Sequence, residues 1–567
     1  MAPDDRLRVL LLVDAPRIPR WQGDVIERLR ADARVALHVA AFPARSAGRG
    51  RRRRPGPGFR IADAIERVVS RRVWHPPLLR QGYDGDAFVP VAPGAGVPPA
   101  RPDVVLTLSA NAPGNRDVAP RFGVWTLEVD GVPVPDAGPF GYYSVASDDP
   151  LSRLAIVATG GEAGSAAAGI TIAQALCKTF RPSWNENRRR LEARAATLVV
   201  DALVALAAER RLPAPVTGAP PPAWLRPRPI YPWVLARCLA RLGLRVAQKL
   251  VYDERWQLAL FDLDETATTG APPRPRFVTG PFRADPCLEE DGEDVYVFHE
   301  TIGGTPEKGE ISVLRLRDGD IEDLGVAIAQ PYHMSFPMVF RVDGERWMIP
   351  ESSANGTIEL WRAESFPLGW VKDRDLMTGV SASDTVLWRG ADRWWMFTNV
   401  DRRAAPDHCH ELHLFWSDDF RSGTWHPHPL NPVVRDVSRA RMAGRIFEDE
   451  AGGLVRCAQD NRFYYGDRLR FMRIDELSPQ SYREHEIDAV DLGWVPDANG
   501  QHHIDRLGSL VVTDVRFRRP RWRRLGPIAL DQGVVRPLAA RLGGLEPSGC
   551  GRTPAGRRRR GPSLGSA

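Results

Sequence analysis

The chain has 567 residues, 43% hydrophobic and 26% charged, with a formal net charge of +6. This is the composition of a globular protein too long for a single hydrophobic core, so two or three domains are expected. No run approaches the roughly 20 consecutive apolar residues that a membrane-crossing helix needs.

The start of the chain, MAPDDRLRVLLLVDAP, carries acids beside a short apolar run and reads as a buried first strand rather than a signal peptide. Cysteines at 177, 238, 287, 409, 457 and 550 have neither paired nor metal-like spacing. That predicts reduced thiols in a cytoplasmic setting, and no metal or other cofactor is expected. The charge is unevenly divided: Phe277 to Val515 holds 42 Asp and Glu against 25 Lys and Arg, a net of −17, which leaves +23 for the rest. Much of the excess lies in Arg49 with Arg51–Arg54, in Arg516–Arg524 and in Arg557–Arg560, all among Gly and Pro. These clusters read as solvated loops and a disordered tail. An acidic folded region argues against a nucleic-acid partner.

In chain order, residues 1–215 read as an α/β domain. Strands are expected at 8–15, 34–42 and 103–109, with helices at 21–32 and 62–74 between them, an alternation that builds a parallel sheet with helices on both faces. FGVWTLEV and RLAIVAT add two strands, and an amphipathic helix over 185–211 closes the domain. Residues 216–254 follow as a Pro-rich linker and a helix near 233–252, whose Arg237, Arg241, Arg245 and Lys249 share one stripe. Such a stripe suits a peripheral contact with an anionic membrane. A helix docked on the next domain with its basic edge in water is the favoured reading. RWQLALFDLD then reads as a strand able to close a ring by pairing with the last repeat.

Five copies of one pattern occupy the region 255–515. A small or polar residue opens a short strand, a Gly- or Asp-bearing turn follows, and a second apolar strand ends in a polar group. The copies run from Asp285 to Glu300, Ser335 to Glu351, Ser383 to Asn399, Ala443 to Asp460 and Gly500 to Asp514. Each period is long enough for one four-stranded sheet, and a single sheet cannot bury both its faces. Radial stacking into a five-bladed β-propeller is therefore expected, with the first strand of each blade lining the channel. Residues 516–567 are left as a basic, largely disordered tail.

The stretch RLAIVATGGEAGSAAAGITIAQ resembles the strand, Asp-x-Gly turn and strand of folate-dependent formyltransferases, with Glu162 in the place of the Asp. That resemblance implies an Asn, a His and an acid around the formyl carbon. No histidine lies between His75 and His299, so the fold is expected without formyl transfer. The motifs His333-MSFPMVF, Met348-IPESSANGTIELWRAESFPLGW, Trp425-HPHPLNPV, Ala443-GRIF, Arg456-CAQD and Tyr465-GDRL resemble a second family. This is the propeller family of the N-terminal domain of plant glucosamine inositolphosphorylceramide transferase, which also occurs in bacteria joined to a formyltransferase-like domain. The plant proteins carry their sugar-transferring domain after the propeller, so transfer itself is not implied here.

Furanosidase and arabinanase families share the five-bladed scaffold. The likeness implies a base or nucleophile on blade one, matched by Asp285, and a charge-tuning Asp on blade three, matched by Asp384. Glycosidic chemistry needs one carboxyl ionised while another keeps a proton. Blade four offers Arg441 and Arg445 where an acid is implied, which leaves Glu351, at the end of blade two, as the replacement. His333, Ser335, Asn355 and His502 (with His503 beside it) are further candidates at the channel mouth for binding substrate. The alternative for Asp285 and Asp384 is a structural one, bonding to backbone amides. His408, Cys409, His410 and His413 suggest zinc at first sight, but in one strand His408 and His410 would share a face and His413 would point away. The functional reading is a carbohydrate-active protein, or one that binds a glycan or glycolipid head group, in the cytoplasm or at a membrane periphery. The competing reading is a recognition or scaffold protein with both ancestral activities lost.

Overall fold

In the computed structural model, the described residues are 5–43 (16 aside), 57–74, 88–90, 101–109, 119–134, 140–164, 169–216, 231–264, 274–304 (279 aside), 307–402, 407–449, 451–490, 495, 498–522 and 545–547. The arginine clusters at 49–54 and 557–560, and most of the Pro-rich linker, lie outside them. The chain divides into two compact units, Met1–Ala247 and Gln248–Ala567. Among the described residues no helix is long and apolar enough to cross a membrane.

The first unit is built on one mixed sheet. Leu7–Ala15 lies between Val35–Pro43 and Val104–Thr107, parallel to both, and Val124–Val129 continues the parallel run. Leu7–Ala15 is nearly continuously apolar, as a strand covered on both faces must be. The expected wholly parallel sheet ends there: Leu151–Thr159 pairs antiparallel to Val124–Val129, and Ile170–Lys178 antiparallel to Leu151–Thr159. The latter two strands are joined by residues 160–169, which include a 3₁₀ turn at Gly161–Ala163 and are too few for the crossover that a parallel pair requires. Helix Arg20–Ala31 buries Trp21, Val25, Ile26 and Leu29 in the main core. There they meet Leu191, Ala195, Leu198, Val199, Leu203 and Leu206 of helix Trp184–Glu209. Ser183 caps the latter helix by accepting from the Glu186 amide.

Helix Pro232–Val251 corrects the expectation that its basic stripe faces water from a seat on the propeller. Val234, Leu235 and Cys238 are buried with Tyr142, Val145 and Trp184 of its own unit. Arg237 donates to the carbonyls of Val145 and Ala146 at 2.7 and 2.9 Å, satisfying the open end of helix Tyr142–Ser147. Arg241 pairs with Asp148 at 2.6 Å, and Arg245 lies over the Phe180 ring. Of the four cations, Lys249 is the exposed one.

The second unit is a five-bladed β-propeller. Blade one comprises Ala284–Asp291, Asp294–Gly303, Lys308–Arg317 and Asp320–Ile328, paired antiparallel in that order. Blade two repeats the order with Ser335–Val342, Glu345–Ser352, Thr357–Ser365 and Gly369–Thr378. Blade three begins with Ala382–Arg389, Trp394–Val400 and Glu411–Ser417. Blade four runs Arg441–Asp449, Leu454–Asp460, Arg468–Leu477 and Tyr482–Val490. Asp343 and Gly344 both take positive φ, as do Asp318 and Gly319, the backbone of a two-residue hairpin turn that Asp-Gly favours.

Blade five closes the ring. Its strand Leu510–Pro520 pairs along its whole length with Tyr252–Asp262, which precedes blade one in sequence, as expected from RWQLALFDLD. Arg276–Val278 adds the outermost strand. The supposed tail is partly structured: its pairing with Tyr252–Asp262 runs to Pro520, and Leu545–Pro547 adds a strand to the inner edge of blade four.

Candidate functional site at the propeller axis

The repeat carries a geometric device at the same place in blades one to four. The inner strands break register between Ala284 and Cys287, Ser335 and Met338, Ser383 and Val386, and Met442 and Ile446. In each break one residue takes positive φ: Asp285 (51°), Phe336 (45°), Asp384 (51°) and Gly444 (133°). A bulge of this kind takes one residue out of the two-residue alternation and re-aims its side chain. Positive φ on Asp is uncommon and on Phe a genuine outlier, conformations that persist only where the surroundings fix them. At Gly444 a Cβ would stand 2.0 Å from the Ile504 carbonyl oxygen, so only glycine fits.

Register then brings the second strands to the same level. Ala284 faces Glu300, Ser335 faces Glu351, Ser383 faces Asn399 and Arg441 faces Gln459. Blade five contributes Asp514. Its carboxylate accepts from the backbone amides of Asp285, His502 and His503, each at 3.0 Å, and so joins blade five to blade one. Asp285, Glu300, Glu351, Asp384 and Asp514 thus converge, each buried or nearly so.

Two cations sit among these acids. Arg441 grips Asp384 through both oxygens, at 2.7 and 3.0 Å, and lies 3.8 Å from Glu351. The Gln459 amide donates to Asp384 at 3.1 Å. His502 stands between two acids, Nδ1 2.6 Å from Asp514 and Nε2 3.3 Å from Asp285, with its ring 4.1 Å from Trp256. His503 places Nδ1 3.5 Å from Asp285 and packs on the Phe336 ring, which gives the strained Phe336 backbone its structural purpose. His333 Nδ1 accepts from the Gly309 amide at 2.9 Å. Its neutral form therefore carries the proton on Nε2, which faces Glu300 Oε1 at 3.4 Å. A Cβ at Gly309 would collide with both Glu300 and His333, so glycine is needed there as well.

The charges force the protonation states apart. Burial opposes ionisation of Asp285, but His502, His503 and Arg441 outweigh it and hold the carboxyl at about 2. Burial raises Glu300, and the fields of Asp285, Glu351, Asp514 and Asp384 all push the same way, keeping it protonated well above the usual carboxyl range. Burial also raises Asp384; Arg441 pulls it back, Glu351 and Asp285 push it up, and it comes to rest at about 7. Burial disfavours charge on His502, yet Asp514 and Asp285 raise it above the ordinary histidine value.

The sequence candidates divide accordingly. Asp285, Glu351, Asp384, Arg441 and His502 meet at the axis, with His333 against Glu300 and Ser335 in register with Glu351. Asn355 does not join them: its amide donates to Glu359, a fully buried anion also held by Tyr332, Thr357, Trp361 and Lys372. Arg445 is spent on Asp505 and the Leu288 carbonyl, sealing blades four, five and one together. Asp460 is held by Arg462 and Arg470. Gln459 takes the place the pattern reserved for it.

Glu300 and Asp514 were legible as the polar ends of their copies, yet nothing in their local pattern singles them out as site residues. The histidine cluster also needs correcting, because its strand starts only at Glu411. His408 bonds Ser381, His410 lies near Asp407 and His413 near Glu411. Among the described residues, the cluster with atoms close enough for a metal is Asp285, His502 and Asp514. With carboxylates at both ring nitrogens, His502 is better satisfied as an imidazolium. In the first unit, Glu162 is an exposed residue paired with Arg121.

Residues 266–502 match the family model described as glucosamine inositolphosphorylceramide transferase 1, N-terminal. Glucosamine inositolphosphorylceramide transferase 1 of Arabidopsis thaliana is 34% identical over 238 residues, 40% of this chain and 30% of that protein. The protein of the same name from Oryza sativa subsp. japonica is 32% identical over 236 residues, 40% of this chain and 31% of that one. The chain therefore spans under a third of the length of these relatives. Among solved structures, a family 117 glycoside hydrolase of Zobellia galactanivorans is 15% identical, covering 46% of this chain and 92% of that one at a TM-score of 0.29. The GH62 α-L-arabinofuranosidase domain of Coprinopsis cinerea is 12% identical, covering 44% and 87% at 0.33. Likenesses this loose speak to neither substrate nor chemistry. The family match covers the propeller only and leaves the formyltransferase-like reading of the first unit an expectation. Over residues 266–502 this chain is similar to the glucosamine inositolphosphorylceramide transferase N-terminal family.

Proposed function

We propose that the axial site binds a glycan, such as the head group of a glycolipid, and acts on its glycosidic bond by acid–base chemistry. The observation that carries this is the split among converging carboxyls: Asp285 is held ionised at about 2 while Glu300 keeps its proton. Breaking a glycosidic bond calls for such a pair, one carboxylate to act as base or nucleophile and one acid to protonate the leaving oxygen. Asp384 and Arg441 would tune the charge between them, and Glu351 would bind substrate. The relatives' name links them to a glycolipid, which supports a head group of that kind; a cytoplasmic or membrane-peripheral place of action belongs to the same proposal.

A second reading, recognition without turnover, is favoured by one feature. Blade four supplies Arg441 and Gln459 at the level where other blades supply acids, and Arg441 occupies both oxygens of Asp384. Glycan-array binding followed by a hydrolysis assay on each hit separates the two. Turnover lost in Asp285→Asn with binding retained supports the catalytic reading. Binding without turnover, unchanged in Asp285→Asn, leaves recognition alone.

A further inference from the structure

Extending the membrane-peripheral part of that reading, we propose that helices Pro57–Trp74 and Pro232–Val251 form a docking surface for an anionic lipid bilayer, made by their apolar outward faces with cations at the rim. The two helices lie side by side: Ala62 packs with Val234, Leu235 and Cys238, and a Cβ at Gly58 would stand 3.9 Å from the Pro232 ring. Among the described residues, eight large apolar side chains are more than half exposed. Six of them are on these two helices: Ile61, Ile65, Val68, Trp233, Leu244 and Leu250. Apolar side chains exposed singly need no explanation, but such a concentration marks a surface that another body covers. On Pro232–Val251 every exposed position except Lys249 is Pro, Trp, Ala, Gly, Val or Leu. Val234, Leu235, Cys238 and Leu242 are buried on the opposite side. The helix is therefore apolar on two faces, and the described residues cover only one of them.

The charges select the occupant. Together the two helices hold eight Arg and Lys against two acids, Asp63 and Glu66. Both acids turn inward to accept from the Asn185 side-chain amide. A second copy of the chain would bring an equal set of cations against these, and like charges repel. An anionic lipid surface attracts them instead. Arg237 and Arg241 are held at the edge of their helix by the Val145 and Ala146 carbonyls and by Asp148, and Lys249 is exposed. The cations thus border the apolar face without interrupting it. At the start of the helix Trp233 stacks on Tyr231 and lies under the Arg237 guanidinium, 5.0 Å from the ring centre. Amphipathic rings of this kind settle at the headgroup level. An apolar face, flanking Lys and Arg, and aromatic rings at one end make up a helix that lies in a membrane interface. The basic stripe itself is turned largely inward, so the face offered to lipid is the one opposite it.

Flotation of the full chain with two kinds of vesicle tests the proposal: phosphatidylcholine alone, and an equal mixture of phosphatidylcholine and phosphatidylglycerol. The mixed vesicles should be bound at least about tenfold more tightly, the effect of one or two cations brought to an anionic surface. Raising the salt concentration should weaken that preference. Leu244→Gln/Leu250→Gln changes two exposed side chains, so its melting temperature should match the parent's while its affinity for mixed vesicles falls at least about tenfold. Lys249→Glu leaves the apolar face intact; it should weaken binding to mixed vesicles and leave binding to phosphatidylcholine as it is. Mixed-vesicle binding undiminished in either variant overturns the proposal. So does a parent chain that binds neither vesicle, whether it sediments as a monomer or as a dimer that Leu244→Gln/Leu250→Gln splits, the latter result making a second copy the occupant. The vesicles carry no glycan, so these failures would remove the membrane-peripheral place of action and leave the glycan reading standing.

Discussion

The Asp384–Arg441 pair supports a prediction that can be worked through in numbers. Burial raises the Asp384 carboxyl, Arg441 pulls it back, and Glu351 and Asp285 push it up again, from 3.8 to about 7. A carboxyl raised on folding costs nothing at a pH below its unfolded value. It destabilises progressively as pH climbs from there to the folded value, because the unfolded chain gives up its proton first. About three pH units at about 1.4 kcal/mol each amount to about 4 kcal/mol lost between roughly pH 4 and pH 7. Arg441→Met strips the bidentate partner from a side chain that is 1% exposed. It should cost about 3–5 kcal/mol near pH 8, the range for a broken buried ion pair. Near pH 5 the cost should shrink, since Asp384 can take up a proton and leave no bare charge. The double variant Asp384→Asn/Arg441→Met removes both charges and should flatten the stability profile by about 4 kcal/mol over the same window. Urea unfolding followed by tryptophan fluorescence at several pH values measures all three proteins. An Arg441→Met cost equal at both pH values, or a double variant as pH-dependent as the parent, refutes the electrostatic account.

Asp285→Asn removes a carboxyl lowered from 3.8 to about 2, whose stabilisation is present above its unfolded value and lost as pH falls through about 2. The variant should lose about 2 kcal/mol at neutral pH in the same unfolding assay and be indistinguishable from the parent in strong acid. Gly444→Ala places a Cβ 2.0 Å from the Ile504 carbonyl oxygen, so a loss above about 3 kcal/mol or failure to fold is expected. Gly452→Ala, also at positive φ but in open space, should cost only about 1–2 kcal/mol, read as a small drop in melting temperature. Arg241→Ala breaks a pair with Asp148 whose side chains are 27% and 41% exposed, and should change stability by no more than about 1 kcal/mol.

What could be seen in advance follows the physical range of each signal. Blade count, ring closure and the level of the polar ends were legible because each rests on local alternation repeated at a fixed period. Asp-Gly turns fix hairpins, hairpins fix register, and register sets Glu300 and Glu351 side by side on neighbouring blades. The first unit's sheet was legible through its parallel half for the same reason. Its last strand turns antiparallel to the one before it because residues 160–169 are too few for a crossover, a limit written in loop length rather than in apolar pattern. The basic stripe of Pro232–Val251 was misjudged because its partners, the Val145 and Ala146 carbonyls and Asp148, lie about ninety residues earlier in sequence. No periodicity within a helix encodes them. Glu300 was hidden for a related reason. Its sequence neighbourhood is unremarkable, and it becomes a proton reservoir only because four other carboxyls from four blades close on it. A chemical role of that kind belongs to the ring as a whole. Grafting Asp285 and Glu300 onto an isolated hairpin would therefore leave two ordinary carboxyls, and the division of protonation that could serve glycan chemistry exists only once the fifth blade has closed against the first.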